Sequence, residues 1–462
     1  MAKIYIIIFI TSIHNIEAQH DSLLLKNIND YNPAKPALIS SQVLSSNILI
    51  NRFDAWVLNK DWAKVGLDDW GNNITSGFSS DGDAFGTNFF GHPFHGSLFY
   101  NAARHNGYSF LESIPYVMAG SLSWEYLGET FPPSIIDWYT TVLGGAYLGE
   151  VTHRLSLSLL RNDQKRKHKF FRNAAVTIIN PTLQFNSLIN DYTSNFARKN
   201  DDDLPKVITN LSIGTNHVLQ SNLDANFQPW GHLKFNLIYG TLFDRKVNYK
   251  PFDFFILKSW LDFSHINDKK KFYFNLISHA PLFNNVLSSH STITISQHFD
   301  YIHNPLFKIG SLAISGDYNF KYFEGITAFS GSLKSGFILF GSSNSEVVEV
   351  IDIFTEDGGE FLRDYIYGQG IYFEAEAFLA IQKWGRIFGS FNNWIIYSEE
   401  HLDGIENSTI IKLEYQYPIF KDLLIGIEYY VYRRHAEYKY IPGFENILNK
   451  YKELRISLSH DF

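Results

Sequence analysis

The chain has 462 residues, of which 16% are aromatic and only 19% are charged. This composition fits a transmembrane β-barrel, in which one face of each strand meets lipid and aromatic girdles lie at both interfaces, but it also fits a secreted all-β protein. The absence of cysteine excludes disulfides, thiolate nucleophiles and cysteine-ligated metals, and the formal net charge of −8 argues against a nucleic-acid partner, because phosphate binding requires a basic face.

Residues 1–18 are predicted to be a secretory signal peptide. Lys3 supplies a positive charge, residues 4–13 form a short apolar core, and Ala18 offers a small residue at a cleavage point. An anchor helix is the alternative, but about 10 apolar residues are too few to cross a bilayer, which takes about 20. We therefore expect the mature chain outside the cytoplasm.

Residues 19–85 are predicted to form an N-terminal region that is periplasmic or extended. Residues 71–86, rich in Gly, Ser, Asn and Asp, are predicted to form a loop at the end of this region. A helical domain is predicted at residues 86–160, with helices over 92–105, 109–127 and 134–160. None of them is a good transmembrane helix, because charged residues and prolines interrupt the apolar stretches.

The starts of two of these helices carry capping signals. Ser109 and Glu112 have the spacing of a capping box, in which each side chain accepts a backbone N–H of the other residue. Ser134 follows two prolines and precedes Asp137, and this pattern predicts a second helix start at Ser134. Within the third helix, small residues allow a second helix or a strand to approach closely; they are Gly144, Gly145, Ala146 and Gly149.

From about residue 176 to residue 462 the pattern changes to period two, which predicts β-strands. The clearest runs are residues 371–379, 411–417, 423–431 and 454–459. Their polar positions include carboxylates that would be costly in an apolar core, such as Glu374, Glu376, Glu414 and Glu428. In a barrel these side chains face the lumen and the apolar set faces lipid.

The links between the predicted strands support a barrel. Short links at 383–385 and 418–422 alternate with long ones at 342–367, 398–407 and 434–452, as expected for periplasmic turns and outer loops. The terminal Phe462 resembles the recognition signal of outer-membrane barrels. The predicted fold is thus mainly β: a transmembrane antiparallel barrel of about 12–14 strands, residues 176–462, preceded by a short three-helix segment. A soluble periplasmic binding protein is disfavoured.

Four motifs in the helical region resemble those of a bacterial family, the domain of unknown function 3943. They are His92-Pro93-Phe94-His95-Gly96, Asn101-Ala102-Ala103-Arg104, Trp124-Glu125-Tyr126 and the run from Gly149-Glu150 to Arg154. The resemblance covers roughly residues 70–160. It implies an envelope protein, often with a barrel attached, and it supplies no reaction.

The same motifs contain the candidate site residues. In one hypothesis, His92 and His95 with Glu125 or Glu129 ligate a divalent metal, because they have the donor atoms of such a site. In the other, one of these His residues, with a carboxylate behind it, acts as a general base in the hydrolysis of a lipid ester. Neither a His-Glu-x-x-His motif nor a Gly-x-Ser-x-Gly motif is present. The structural alternative is an ion-pair network that locks the helices together, formed by Arg104, Glu112, Asp137, Glu150, His153 and Arg154.

Two functions remain open from the sequence. The leading interpretation is an outer-membrane barrel of structural or transport type, with the helical segment as plug, gate or docking element, located in the lumen or beneath the barrel in the periplasm. The alternative is an outer-membrane hydrolase that modifies lipid or glycan. The expected partners are outer-membrane lipid and either a periplasmic protein or a small solute. The sequence does not decide whether the chain is an enzyme, and it names no cofactor.

Overall fold

The computed structural model describes thirteen stretches of the chain: residues 36–79, 83–161, 169–189, 205–223, 227–243, 249–266, 269–305, 307–324, 327–344, 365–381, 383–398, 404–439 and 446–462. The predicted signal peptide, residues 1–18, lies outside the described residues.

The first part of the described chain is helical. Its α-helices are α1 (Pro36–Trp56), α2 (Leu67–Ser76), α3 (His92–Arg104), α4 (Phe110–Leu127), α5 (Ile135–Tyr139), α6 (Gly145–Arg161), α7 (Lys169–Ile179) and α8 (Pro181–Ile189). A 3-10 turn lies at Asp61–Ala63, and π-helical turns at Thr87–Gly91 and Thr140–Gly144 lead into α3 and α6. We call residues 36–189 the helical module.

Local sequence signals explain where two of these helices begin. The N–H of Glu112 donates to Ser109 Oγ (3.4 Å), and the N–H of Ser109 donates to Glu112 Oε2 (2.8 Å), so the predicted capping box is formed at the start of α4. The N–H of Asp137 donates to Ser134 Oγ (3.2 Å). The predicted helix over 134–160 contains a π-helical turn, so it is divided into α5 and α6.

The helical module is larger than the sequence predicted. Helices α1 and α2 occupy much of the region that was expected to be extended, and α2 includes residues 71–76 of the predicted loop. The reason is that α1 has no single apolar stripe: Leu, Ile and Phe are distributed around it, so its period of 3.6 is hard to detect. Residues 169–189 form α7 and α8, so the barrel does not begin at residue 176.

The second part is a closed antiparallel barrel of twelve strands, in which each strand pairs with its neighbours in sequence and β1 pairs with β12. The predicted fold class is confirmed. The strands are β1 (Val207–Ser221), β2 (Phe227–Gly240), β3 (Phe254–Ile266), β4 (Lys269–Val286), β5 (Ser291–His303), β6 (Lys308–Glu324), β7 (Thr327–Asn344), β8 (Tyr365–Ile381), β9 (Gly385–Ser398), β10 (Gly404–Phe420), β11 (Leu423–Tyr438) and β12 (Ile447–Asp461).

Along each strand, side chains alternate between the lumen and the outer wall. On β11, Ile425, Ile427 and Tyr429 are exposed on the outer wall, whereas Glu428 and Tyr430 are buried in the lumen. We call the end of the barrel at which β1 starts and β12 ends the near end; β6, β8 and β10 also end there. We call the opposite end, at which β7 and β9 end, the far end.

The middle of the lumen is filled by the barrel's own polar side chains. Lys234 on β2 donates to Glu428 on β11 (2.7 Å), and the indole of Trp394 on β9 donates to Asp300 on β5 (2.9 Å). These residues are buried, and so are Asp262 on β3 and Arg455 on β12, which pair at 3.5 Å. Lys334 and Glu374, directly opposite each other on the adjacent strands β7 and β8, are also buried and pair at 2.8 Å. Each charge therefore has a partner, which burial in a low-dielectric interior requires.

The helical module packs on the outer wall of the barrel. On β5, Asp300 points into the lumen, so its neighbours Phe299 and Tyr301 point outward. Both are nevertheless buried, because Tyr147 of α6 stacks on Phe299 (5.8 Å between centroids) and Phe85 stacks on Tyr301 (5.2 Å). The sequence left the lumen and the periplasm beneath the barrel as alternatives, and the contacts of the described residues correspond to a third position.

Candidate functional site

The helical module contains two buried polar clusters, and the first surrounds His92. This residue begins α3 directly after a π-helical turn. Its Nε2 lies 3.5 Å from Asp137 Oδ1 and 3.7 Å from Asp83 Oδ2. The side chains of His92 and Asp137 are 7% and 2% exposed, whereas that of Asp83 is 49% exposed, so the cluster opens to the surface only on the Asp83 side. We call Asp83, His92 and Asp137 the His92 cluster.

Two glutamates predicted as site residues lie close to this cluster. Burial lowers the pKa of His92, but the carboxylates of Asp83, Glu125 and Glu129 outweigh it and raise the pKa to about 9. Glu125 is buried and its Oε2 accepts the N–H of Ser134 (2.8 Å). Both glutamates are therefore near enough to His92 to stabilise its charged form.

His95 has a different environment from His92. Its ring packs 4.6 Å from the ring of Phe99 and 4.7 Å from that of Trp124. Burial and the charge of His92 lower the pKa of His95 to about 3, so it is neutral at physiological pH. Asp83, which the sequence did not single out, takes the place beside His92 that the metal hypothesis gave to His95. It lies in the predicted loop, and no spacing rule connects it to His92.

The second cluster surrounds Glu150. Arg104 Nε and Arg154 Nε each donate to its carboxylate at 2.8 Å, and the hydroxyl of Tyr100 donates at 2.7 Å. Arg154 also donates to Asp253 (3.0 Å), in the link between β2 and β3. Burial raises the pKa of Glu150, but the two arginines outweigh it and hold the pKa well below its usual range. This Glu150 network thus ties α3, α6 and the barrel together.

A pair of imidazoles extends this network. Asn180 Nδ2 lies 2.8 Å from His105 Nε2, and His105 Nδ1 lies 3.2 Å from His153 Nδ1. Because Asn180 donates, Nε2 of His105 accepts and its Nδ1–H donates to His153. Burial and nearby Arg104 lower the pKa of His105 to about 3 and that of His153 well below its usual value, so both rings are neutral.

Two residues predicted for the ion-pair network lie elsewhere. Glu112 caps the start of α4, and Asp137 belongs to the His92 cluster. The structure thus joins Arg104, Glu150, His153 and Arg154.

The predicted small residues permit a close crossing of α3 and α6. A Cβ on Gly145 would lie 2.6 Å from the backbone of Gly96, and a Cβ on Gly149 would lie 2.5 Å from the ring of Tyr100. On Gly144 it would meet Pro93 at 2.7 Å. Real Cβ atoms do not approach so closely, so the crossing requires glycine at these positions.

The lumen contains a third group of ionisable side chains: His279, His298 and Glu374. Lys334 Nζ lies 2.8 Å from Glu374 and 3.1 Å from His279. The ammonium group of Lys334 therefore supplies the cation of this group.

Among the helices of the described residues, none is both long and apolar enough to cross a bilayer.

Residues 77–182 match the family model described as Domain of unknown function (DUF3943). The resemblance of the motifs is confirmed. We call these residues the DUF3943 segment; it contains both polar clusters, apart from Asp253 of the barrel. No curated protein matches the chain.

Several solved structures of outer-membrane proteins are similar to the chain. OmpTdeltaL8, a loop L8 deletion mutant of OmpT, an outer membrane protein of Vibrio cholerae, has 11% identity and a TM-score of 0.22 over 56% of this chain and 98% of its own. A porin refined at 1.8 Å resolution has 8% identity and a TM-score of 0.23 over 56% of this chain and 99% of its own. The anion-selective porin from Comamonas acidovorans has 8% identity and a TM-score of 0.22 over 56% of this chain and 100% of its own.

The location of the chain follows from its own architecture. A closed antiparallel barrel with an apolar outer wall and buried charges in its lumen is the architecture of outer-membrane barrels. The chain is an outer-membrane β-barrel protein.

Proposed function

We propose that this chain is an outer-membrane barrel of structural type that anchors the DUF3943 segment on its outer wall, where the helical module serves as a docking element. The observation that carries the proposal is the side of the wall on which the helices pack. The strand residues that the helices contact in the buried apolar cluster all point outward, while the inward-pointing residues close the lumen. A plug would instead contact the inward-pointing residues of the strands.

The contact between module and barrel is extensive and apolar. It runs from Tyr239 and Phe255, near the near end of β2 and β3, to Phe340 and Tyr365, near the far end of β7 and β8. At the centre, the hydroxyl of Tyr147 shares a hydrogen bond with Ser278 Oγ (2.7 Å). An interface of this length supports a fixed attachment of the module along the height of the wall.

The outward surface of the module supports a position at the level of the membrane. Helix α1 buries the amides of Gln42, Asn47 and Asn51 beside the apolar side chains of Ile39, Val43 and Ala55, and it exposes Ile48 (62%) and Leu49 (68%). Inside the module, Asn47 donates to the carbonyl of Gly120 (3.0 Å). Polar groups inside and apolar groups outside are the arrangement that lipid favours and water does not. Outer-membrane lipid is therefore the partner that this surface fits.

Two glycines on β6 provide a matched test of the attachment. Both point outward, but a Cβ on Gly310 would lie 2.1 Å from the ring of Phe89, whereas a Cβ on Gly316 would meet nothing within 4 Å. Leucine is compatible with a lipid-facing wall, so neither Gly310→Leu nor Gly316→Leu should prevent barrel assembly. Only Gly310→Leu should displace the module.

The measurement is limited proteolysis of the two purified variants in detergent, with heat-dependent gel mobility as the readout of an intact barrel. We expect Gly310→Leu to make the helical module cleavable while the barrel stays folded, and Gly316→Leu to behave as wild type. If both variants keep the module equally protected, the helices are not anchored on this wall. Wild-type protein in a planar bilayer should show no steady conductance, and open-channel currents would favour a transport role instead.

A hydrolase that uses His92, His95, Glu125 and Glu129 is the weaker candidate. The His95 ring is enclosed by aromatic rings, and Glu125 accepts a backbone N–H. Glu129 Oε1 accepts the indole N–H of Trp124 (2.6 Å). Hydrolysis of a lipid ester that His92→Ala abolishes would reverse this order.

A further inference from the structure

We infer that Asp83, His92 and Asp137 form a binding site for a divalent transition metal within the DUF3943 segment. The inference is independent of where the module docks. It replaces the ligand set expected from the sequence, because His95 faces aromatic rings and the two aspartates face His92.

The separations of the three side chains carry the first part of the argument. The distances of 3.5 Å and 3.7 Å from His92 Nε2 to the aspartate oxygens exceed the range of N–H···O hydrogen bonds, about 2.7–3.2 Å. Two ligands on one tetrahedral zinc, at metal–ligand distances of about 2.0–2.2 Å, are separated by about 3.4 Å. The donor atoms of all three residues lie within 4.8 Å of one another, so a single ion can reach them with small adjustments.

The state of His92 Nε2 carries the second part. This atom is buried and makes no hydrogen bond of normal length among the described residues, although the carboxylates of Asp137 and Asp83 lie 3.5 Å and 3.7 Å away. Ion pairs at these distances do not supply the close contact that a buried polar atom normally has. Coordination of a metal ion would satisfy it, as imidazole nitrogen is a common metal ligand.

The donor set indicates the class of ion. One imidazole nitrogen and two carboxylate oxygens suit Zn²⁺ or Mn²⁺ better than the softer ions that prefer sulfur, or the hard ions that prefer oxygen alone. Three protein ligands leave a fourth position for water. Asp83, which is half exposed, supplies the side from which the ion would enter.

The rest of the cluster explains how these residues are held. Asp137 lies in the first turn of α5, whose start is fixed by Ser134. Glu125 accepts the N–H of Ser134 (2.8 Å) and so ties α4 to the same turn. His92 is fixed at the start of α3, where Pro93 occupies the first turn.

The test uses the full mature chain, purified without a histidine tag, stripped with chelator and titrated with Zn²⁺. Bound metal is counted by mass spectrometry, and Co²⁺ is added separately because its visible absorption reports the ligand geometry. We expect one equivalent in the wild type and at least tenfold weaker binding in His92→Ala and Asp83→Asn. Asp83→Asn is the safer variant, since its side chain lies half in solvent.

His95→Gln is the matched control, because it removes a neighbouring buried imidazole that is absent from the proposed ligand set. It should retain one equivalent of Zn²⁺ and the Co²⁺ spectrum. The inference is overturned if the wild type binds no Zn²⁺, or if Asp83→Asn binds as tightly as the wild type. It is also overturned if His95→Gln weakens binding as much as Asp83→Asn does.

Discussion

Replacement of Glu150 by glutamine should release the helical module without unfolding the barrel. The carboxylate accepts hydrogen bonds from Arg104, Arg154 and Tyr100, and it is fully buried. Glutamine has the same shape, but it removes the charge between two arginines and points an NH₂ group at donors. Arg154 keeps Asp253 as a partner, whereas Arg104 loses the carboxylate that accepts from its Nε and Nη2.

The magnitude follows from the burial. Breaking a buried ion pair by removing one partner costs about 3–5 kcal/mol, and each 1.4 kcal/mol is a factor of about ten in an equilibrium constant. Local opening of α3 and α6 should therefore become at least about a hundredfold more frequent, up to the limit set by the module's own stability.

Hydrogen exchange followed by mass spectrometry measures this opening peptide by peptide. In Glu150→Gln, peptides from α3 and α6 should lose protection while those from β10 to β12 keep it. Glu112→Gln is the control, because that carboxylate is exposed and only caps the start of α4. If Glu150→Gln changes the protection of α3 and α6 no more than Glu112→Gln does, the network does not hold the module together.

Three further predictions concern the same module. Gly145→Ala should lower the free energy of unfolding of the module by about 1–3 kcal/mol through overpacking, because the new Cβ would meet the backbone of α3. Gly71→Ala in α2 is the control: its Cβ meets nothing within 4 Å, so this variant should be as stable as the wild type or more stable. The rates of proteolysis of the two variants measure the difference. Burial lowers the pKa of His105 from 6.5 to about 3, so the folded module holds this ring neutral. Below pH 6.5 the ring gains a proton in the unfolded chain but not in the folded one. The free energy of unfolding therefore falls by about 1.4 kcal/mol per pH unit between pH 6.5 and pH 3. His105→Gln should flatten that dependence of protease resistance, and an unchanged slope would contradict it. An environment-sensitive dye attached to Ile48→Cys of α1 should show the emission spectrum that it has in lipid. The same dye attached to Lys421→Cys, in a short turn, should show the spectrum that it has in water. If the two spectra match, the module does not face lipid.

The barrel could be predicted from the sequence because its physical signals are local. Period two needs only neighbouring residues, as on β11, where exposed Ile425 and Ile427 flank lumenal residues. The same rule failed at residue 176, since α7 and α8 are short helices whose apolar residues imitate a strand over a few positions. Helix α1 was missed because its apolar residues are distributed around it: Ile39 and Val43 are buried, whereas Ile48 and Leu49 are exposed, so it lacks the usual amphipathic pattern.

The position of the module could not be predicted, because a residue covered by a helix looks the same in sequence as one covered by lipid. Phe299 and Tyr301 follow the same alternation as Ile293 and Ile295 on the same strand, yet only the first pair is buried. The same limit applies to the site. The motifs identified His92, but Asp83 lies before the π-helical turn Thr87–Gly91 and Asp137 lies on α5. Their proximity to His92 is a property of the fold.

The location of the helices on the outer wall is tested most directly by photo-crosslinking from β5. A photoreactive phenylalanine analogue is placed at Tyr301, which Phe85 and Phe90 contact, at Ile293 on the same face of the same strand, and at the lumenal Asp300. Peptide mass spectrometry then identifies the crosslinked partners. From position 301 we expect crosslinks to the segment that contains Phe85 and Phe90, and from position 293 we expect none to any part of the helical module. From position 300 we expect crosslinks only to other strands. Crosslinks from position 300 to the helical module would instead place the helices in the lumen and contradict the account.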